Sequence, residues 1–145
     1  MKTEPTSFSI QDLKRVGVEP WDGVRNALAS KYLRTMKLGE RAFFYHSSCE
    51  VPGIAGVCEI EREAYPDHTQ FDPESKYFDP RSSRERPRWM MPDVRFVEEF
   101  KQLIPLIELR NNPELEGMIL LRKGQRLSVM PVTPKEFKVI LKMAQ

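Results

Sequence analysis

Proline is the residue that most narrows what this 145-residue chain can fold into: there are twelve, and five of them, Pro66, Pro73, Pro80, Pro87 and Pro92, fall in one stretch. Each removes a backbone donor and fixes φ, so neither a long helix nor a central strand can run through that region. Short strands, short helices and ordered loops are the expected vocabulary. The same stretch carries Tyr65, Phe71, Tyr77, Phe78 and Trp89. Rings at that density imply an ordered excursion packed on the rest of the chain, not a disordered segment.

With 40% hydrophobic and 30% charged side chains, residues 1–145 suffice for one compact domain and are too few for two ordinary ones, so a single domain is expected. No apolar run approaches the roughly 18 residues of a membrane helix. The N-terminal Met-Lys-Thr-Glu-Pro has no apolar signal core. A non-secreted protein without a membrane partner is expected, cytoplasmic in a bacterium or nuclear in a eukaryote. Cys49 and Cys58 are read as free, buried thiols. With no Cys-x-x-Cys and no zinc-spaced cluster, neither a metal nor a cofactor is expected.

Local signals give the elements. Ser9 and Asp12 form a capping box for a helix over 9–15, and Asp22 is the expected cap of a second helix ending near Met36 with Val24, Leu28, Tyr32 and Met36 facing a core. Residues 41–48 read as a strand with Phe43, Tyr45 and Ser47 on one face and Phe44, His46 and Ser48 on the other. Pro52-Gly53 turns into a second strand, 54–60, where Gly56 marks a bulge. Further strands are expected at 89–100, 118–121 and 126–132, and a short helix at 106–110. Thr133-Pro134-Lys135-Glu136 caps a last helix, with Val132 and Phe137 spaced as a staple. The sum is an α+β fold, an open or partly closed barrel of about five or six mixed short strands flanked by helices.

A formal charge of +2 gives no global pull toward nucleic acid, but residues 14–41 hold seven basic against three acidic side chains, and Arg81, Arg84, Arg86 and Arg88 make a second basic patch. Chemistry in the catalytic sense is thinly represented. His46 stands near Ser47, Ser48 and Cys49, yet strand alternation turns Ser47 and Cys49 away from it. Glu59, Glu61 and Glu63 alternate onto one face, the usual pattern of a solvated strand rather than a glycosidase pair or a hard-metal site. The phosphate-cradling glycine loop of nucleotide hydrolases is missing. What remains is a binding constellation. Trp21, Tyr45 and Trp89 accompany Arg25, Asn26, Ser47, Ser48, Arg126 and Ser128, and rings with amide, hydroxyl and guanidinium groups suit a splayed-out base. Core anchoring of both tryptophans is the competing reading.

In order along the chain, Lys2-Thr-Glu-Pro, Phe8-Ser-Ile-Gln-Asp-Leu, Trp21-Asp-Gly-Val-Arg-Asn, Phe43-Phe-Tyr-His-Ser-Ser-Cys, Pro52-Gly-Ile-Ala-Gly, Ala64-Tyr-Pro-Asp, Asp93-Val and Arg126-Leu-Ser-Val-Met-Pro-Val resemble the EVE domain of the PUA-like superfamily. The resemblance implies a pseudo-barrel with a pocket for one modified base, a methylated or hydroxymethylated cytosine or a modified RNA base, extruded from nucleic acid. Carried over by position, the base-binding candidates are Trp21, Arg25, Asn26, Tyr45, His46, Ser47, Ser48, Trp89, Arg126, Leu127 and Ser128. Lys31, Arg34, Arg81, Arg84, Arg86 and Arg88 are candidates for phosphate. The chain departs from the family's usual run at Ala27-Leu-Ala-Ser-Lys and at Met130, changes expected to enlarge or dry the pocket. The function expected is non-catalytic recognition of a modified base in DNA or RNA. The alternatives are an enzyme acting in the same pocket, with His46 or a glutamate as proton carrier, and a protein-interaction or small-metabolite module.

Overall fold

Two capping boxes fix the outer helices of the computed structural model, which describes residues 1–145. Ser9 and Asp12 exchange side-chain-to-backbone hydrogen bonds at the start of α1 (Ile10–Val16). Thr133 and Glu136 do the same at α4 (Pro134–Met143), where Pro134 occupies the first turn. The cap of α2 (Ala27–Thr35) is not Asp22 but Asn26, whose side-chain oxygen accepts from the Ala29 N–H at 3.0 Å. Gly23 is the cause. Its φ of +80° turns the chain, its N–H is donated to Asp67 at 2.8 Å, and a Cβ there would lie 2.6 Å from the Tyr77 ring. Helix therefore starts only after Asn26, and its buried face is Ala29, Ser30 and Leu33, while Leu28 is 46% exposed.

The sheet has five strands: β1 (Lys2–Thr3), β2 (Val18–Pro20), β3 (Arg41–His46), β4 (Gly53–Pro66) and β5 (Met90–Pro105). Contrary to the expectation of short strands only, β4 and β5 have 14 and 16 residues, and Pro92 lies inside β5, opposite a register shift between Arg62 and Tyr65 of β4, the kind of irregularity at which a strand tolerates proline. Their order is β1-β3-β4-β5-β2, with β1 parallel to β3 and the other pairs antiparallel. Four helices, α3 (Leu106–Arg110) completing the set, flank this mixed sheet. It stays open. The edge strands β1 and β2 are only two and three residues long and do not pair with each other.

Two expected strands are absent. Residues 119–121 form a 3₁₀ turn, because four apolar residues carry no period that separates strand from helix. Residues 126–132 run irregularly beside β1, joined to it by the Lys2 N–H to Ser128 carbonyl bond, and Pro131 has no N–H to extend the pairing.

Alternation along β3 sends Phe44 to a core beneath α1 and α2, with Ile10, Leu13, Leu33 and Trp21, and Phe43 and Tyr45 to a second core beneath α3 and α4, with Leu109, Leu115 and Ile140. Phe137 stacks on Phe43 at 4.2 Å. The expected bulge lies at Gly56, where the β4–β5 register slips and a Cβ would stand 2.2 Å from the Glu98 carbonyl oxygen. Cys58 is buried, and burial pushes its thiol up to about 11. Cys49 is also unpaired but only half-buried. No helix is long and apolar enough to cross a membrane.

Candidate functional site

β4 ends at Pro66, and the next residue, Asp67, organises everything around it. Its side chain is 1% exposed. Its carboxylate accepts from the Thr69 N–H at 2.8 Å, the Thr69 hydroxyl at 2.5 Å, the Gly23 N–H at 2.8 Å and Arg25 Nη1 at 3.0 Å. Burial alone would raise this carboxyl, but the bonds from Thr69, Gly23 and Arg25 hold it below the ordinary range. Arg25 is equally committed. It donates to the Tyr77 carbonyl through Nε and Nη2, at 3.1 and 2.9 Å, and to Thr69 Oγ1 at 3.0 Å. The Tyr77 and Trp89 ring centroids lie 5.6 and 5.4 Å from its guanidinium carbon. One ion pair thus ties the proline-rich excursion to the start of α2.

Beside this knot lies a cavity of about 930 Å³. Lys2 and Thr3 of β1 line one side and Glu19 and Pro20 of β2 the other, so the two open edges of the sheet face each other across it. Phe8, Trp21, Tyr45 and Tyr77 supply ring surface, and Ser47, Ser48, Ser128 and Gln125 supply neutral polar groups. The charges are mixed. Lys2, Arg25, Lys76 and Arg126 are cationic, while Glu4, Glu19 and Asp22 are acidic. Burial raises the Asp22 carboxyl, helped by the Asp67 charge, and burial followed by the Asp22 charge raises Glu19. Ser48, just beyond β3, is the one non-glycine residue with positive φ, at +52°, a strained geometry of the kind found where backbone is shaped around a ligand. A smaller cavity of about 250 Å³ between β3 and the C-terminal segment is mostly apolar, lined by Tyr32, Met36, Phe43, Met118, Met130 and Phe137 among others.

Eight of the eleven base-binding candidates therefore meet at the large cavity: Trp21, Arg25, Asn26, Tyr45, Ser47, Ser48, Arg126 and Ser128. Three do not. Leu127 packs against the α1/α2 core. Trp89 lies behind Arg25, with its indole N–H donated to Asp79 at 2.8 Å. His46 points away from the cavity and is 7% exposed. Its Nε2 accepts the Ile10 N–H at 3.1 Å, so the neutral ring, protonated at Nδ1, caps the first turn of α1.

Burial lowers the His46 pKa, against a smaller upward pull from Glu99. The unfolded chain takes up this proton near the ordinary value of 6.5 and the folded chain only at lower pH. The stability it contributes is full above 6.5 and is lost as pH falls toward the depressed folded value. Unfolding midpoints of the wild type should drop across that window more steeply than those of His46→Gln, and parallel curves would refute this role.

Of the phosphate candidates, Lys31, Arg34 and Arg88 line a separate groove together with Trp89. Arg81, Arg84 and Arg86 line neither site, and Arg84 rests on the Phe71 ring at 4.8 Å. The departures from the family run, Ala27 and Ser30 to Lys31, line that groove, and Met130 lines the apolar cavity, so the large cavity is not where they act. Glu59 is held by Arg95 and Arg41, and Glu61 by Arg95, as members of a charged strand face. Sequence reasoning missed Phe8, Asp22, Tyr77 and, above all, Asp67. An Asp two residues before a Thr, the signature of a side-chain-capped turn, was the available signal for the last.

The fold and cavity define a small α+β domain that can hold a flat ligand between the edges of an open sheet. The chain belongs to the EVE domain family, whose model matches residues 1–143. It is 46% identical to human thymocyte nuclear protein 1 over 164 aligned residues, covering all of this chain and 72% of the relative. A crystal structure of a Pseudomonas syringae protein superposes with a TM-score of 0.96 at 48% identity, covering 100% of this chain and 97% of that one. The structure of human THYN1 in complex with 5-methylcytosine-containing DNA superposes with a TM-score of 0.93 at 45% identity, covering 100% and 95%.

Proposed function

We propose that this protein is a non-catalytic reader of modified nucleic acid, taking one extruded base, a methylated or hydroxymethylated cytosine, into the large cavity. The observation that carries this reading is the full-length likeness to human THYN1, whose structure was solved with 5-methylcytosine-containing DNA. The cavity's make-up supports it. Trp21, Tyr45 and Tyr77 offer ring surface for a base, and Ser47, Ser128 and Gln125 offer hydrogen bonds to its edge. Asn26 spends its side-chain oxygen on the α2 cap, which leaves its amide nitrogen as a donor. Exposed Arg126 and Lys76 at the cavity suit flanking phosphates. The absence of catalysis is part of the proposal, supported by the engagement of His46 with α1 outside the cavity. Relatives named as nuclear proteins support a place of action beside nucleic acid within the cell.

The test is affinity for matched DNA oligonucleotides with and without one modified cytosine, across a salt series. Preference for the modified strand of about tenfold or more is expected, in line with the roughly 1 to 3 kcal/mol that one well-read base feature contributes. The log of affinity should fall linearly with the log of salt. Equal binding of both strands would overturn the reading. Release or alteration of the base, seen by mass spectrometry, would overturn its non-catalytic part.

A further inference from the structure

A second concave surface lies on the far side of Arg25 from the large cavity. It is a groove of about 300 Å³ lined by Ala27, Ser30, Lys31, Arg34, Arg88 and Trp89. The two sites are contiguous: Asn26 lines the cavity and Ala27 the groove, and Arg25, at the cavity, lies 5.4 Å from the Trp89 ring at the groove.

Three cations converge there with only one carboxylate to meet them. Arg88 pairs with Asp79 at 2.6 Å, and Arg34 spends one Nη on the Arg88 carbonyl at 2.6 Å. Lys31 forms no ion pair, and both Lys31 and Arg34 are exposed. Ser30 adds an independent sign. It is 4% exposed, and its hydroxyl is the one buried side-chain polar atom in the protein with no hydrogen-bond partner. Buried hydroxyls normally find a partner, and this one, buried and unpartnered on a residue that lines a cationic groove, is a donor that an anionic oxygen entering the groove would satisfy. The bonds that Arg88 and the Trp89 indole donate to Asp79 hold those two side chains in place before any ligand arrives.

We propose that this groove is a phosphodiester subsite: it holds the backbone of the nucleotide next to the base in the large cavity, with Lys31 and Arg34 on the phosphate, the Ser30 hydroxyl as a further donor, and the Trp89 ring as an apolar wall for the sugar. The proposal rests on the base-reading function above. It also gives the protein a direction along the strand, because the groove lies on one side of the cavity only.

The test compares the wild type with a Lys31→Ala/Arg34→Ala double variant, and with Ser30→Ala, on single-stranded DNA carrying one 5-methylcytosine, on its plain counterpart, and on the same pair as RNA. Loss of the one phosphate that these two cations neutralise should make the salt dependence shallower by roughly 0.7 in log–log slope on single strands. Affinity at low salt should fall about tenfold, with the ratio of modified to plain binding unchanged. Both changed side chains are exposed, so the fold should be kept, and unchanged melting curves would establish that. A double variant with the wild-type slope overturns the subsite and leaves the base reading intact. If the wild type shows no preference for the modified base while the slope still drops in the variant, the base reading fails and the phosphate site stands. Absence of binding to every strand overturns both, and a slope change seen on RNA alone overturns assignment to DNA.

Discussion

Asp67→Ala should lower the stability of this protein by about 3 kcal/mol, the low end of the range for removing one partner of a buried ion pair. For a chain of this length that corresponds to a fall of roughly 10 °C in the unfolding midpoint. The cost comes from stranded donors. The carboxylate serves Gly23, Arg25 and Thr69 together, and its loss leaves a guanidinium that is 21% exposed without its counter-charge. Asp67→Asn should recover part of the loss, since one oxygen still accepts while the amide nitrogen opposes N–H groups. Thermal or denaturant unfolding of both variants is the measurement. A cost below about 1 kcal/mol for the alanine variant would mean that the excursion is held by its aromatic packing instead.

Trp21→Ala should cost about 3 to 4 kcal/mol, as for other large aromatics removed from a core. Trp21 is 8% exposed and meets Phe44 edge-on at 5.6 Å, in the cluster that seats α1 and α2 on the sheet. It also lines the cavity. The two roles separate with Trp21→Phe, which keeps a ring against Phe44. Stability within about 1.5 kcal/mol of the wild type is expected for that variant. If the indole also touches the bound base, Trp21→Phe should lose severalfold in affinity for modified DNA at unchanged fold. A Trp21→Ala protein as stable as the wild type would remove Trp21 from the core and contradict its packing.

The parts of this structure that could be read in advance are those written in local chemistry. Both capping boxes, the β3–β4 hairpin and the Gly56 bulge follow from residues within a few positions of one another, and so they formed as expected. The motifs of the EVE resemblance likewise gathered most of the cavity. What could not be read depended on distant partners. Asn26 rather than Asp22 caps α2 because Gly23 is captured by Asp67, 44 residues away, and no local pattern announces that. Trp89 and His46 are suited by residue type to contact the base, yet neither lines the cavity: the Trp89 indole N–H is taken by Asp79, and His46 accepts the Ile10 N–H. Residue type sets what a side chain can do, and only the assembled fold decides whether it is free to do it.

The open sheet has a consequence for how selectivity can change. No hydrogen-bonded ladder spans the gap between β1 and β2, so the width of the opening is not locked to the fixed spacing of paired strands. It is set instead by what lies behind each jaw, as in a calliper whose screw is the core: Leu127, in the segment beside β1, on one side, and the packing of α1 against β5 on the other. A methyl gained or lost at such a position moves a jaw by a fraction of an ångström, enough to favour a bulkier or slimmer substituent on the same flat ring, with every polar contact left as it was. Discrimination among modifications can therefore drift through residues that never touch the ligand.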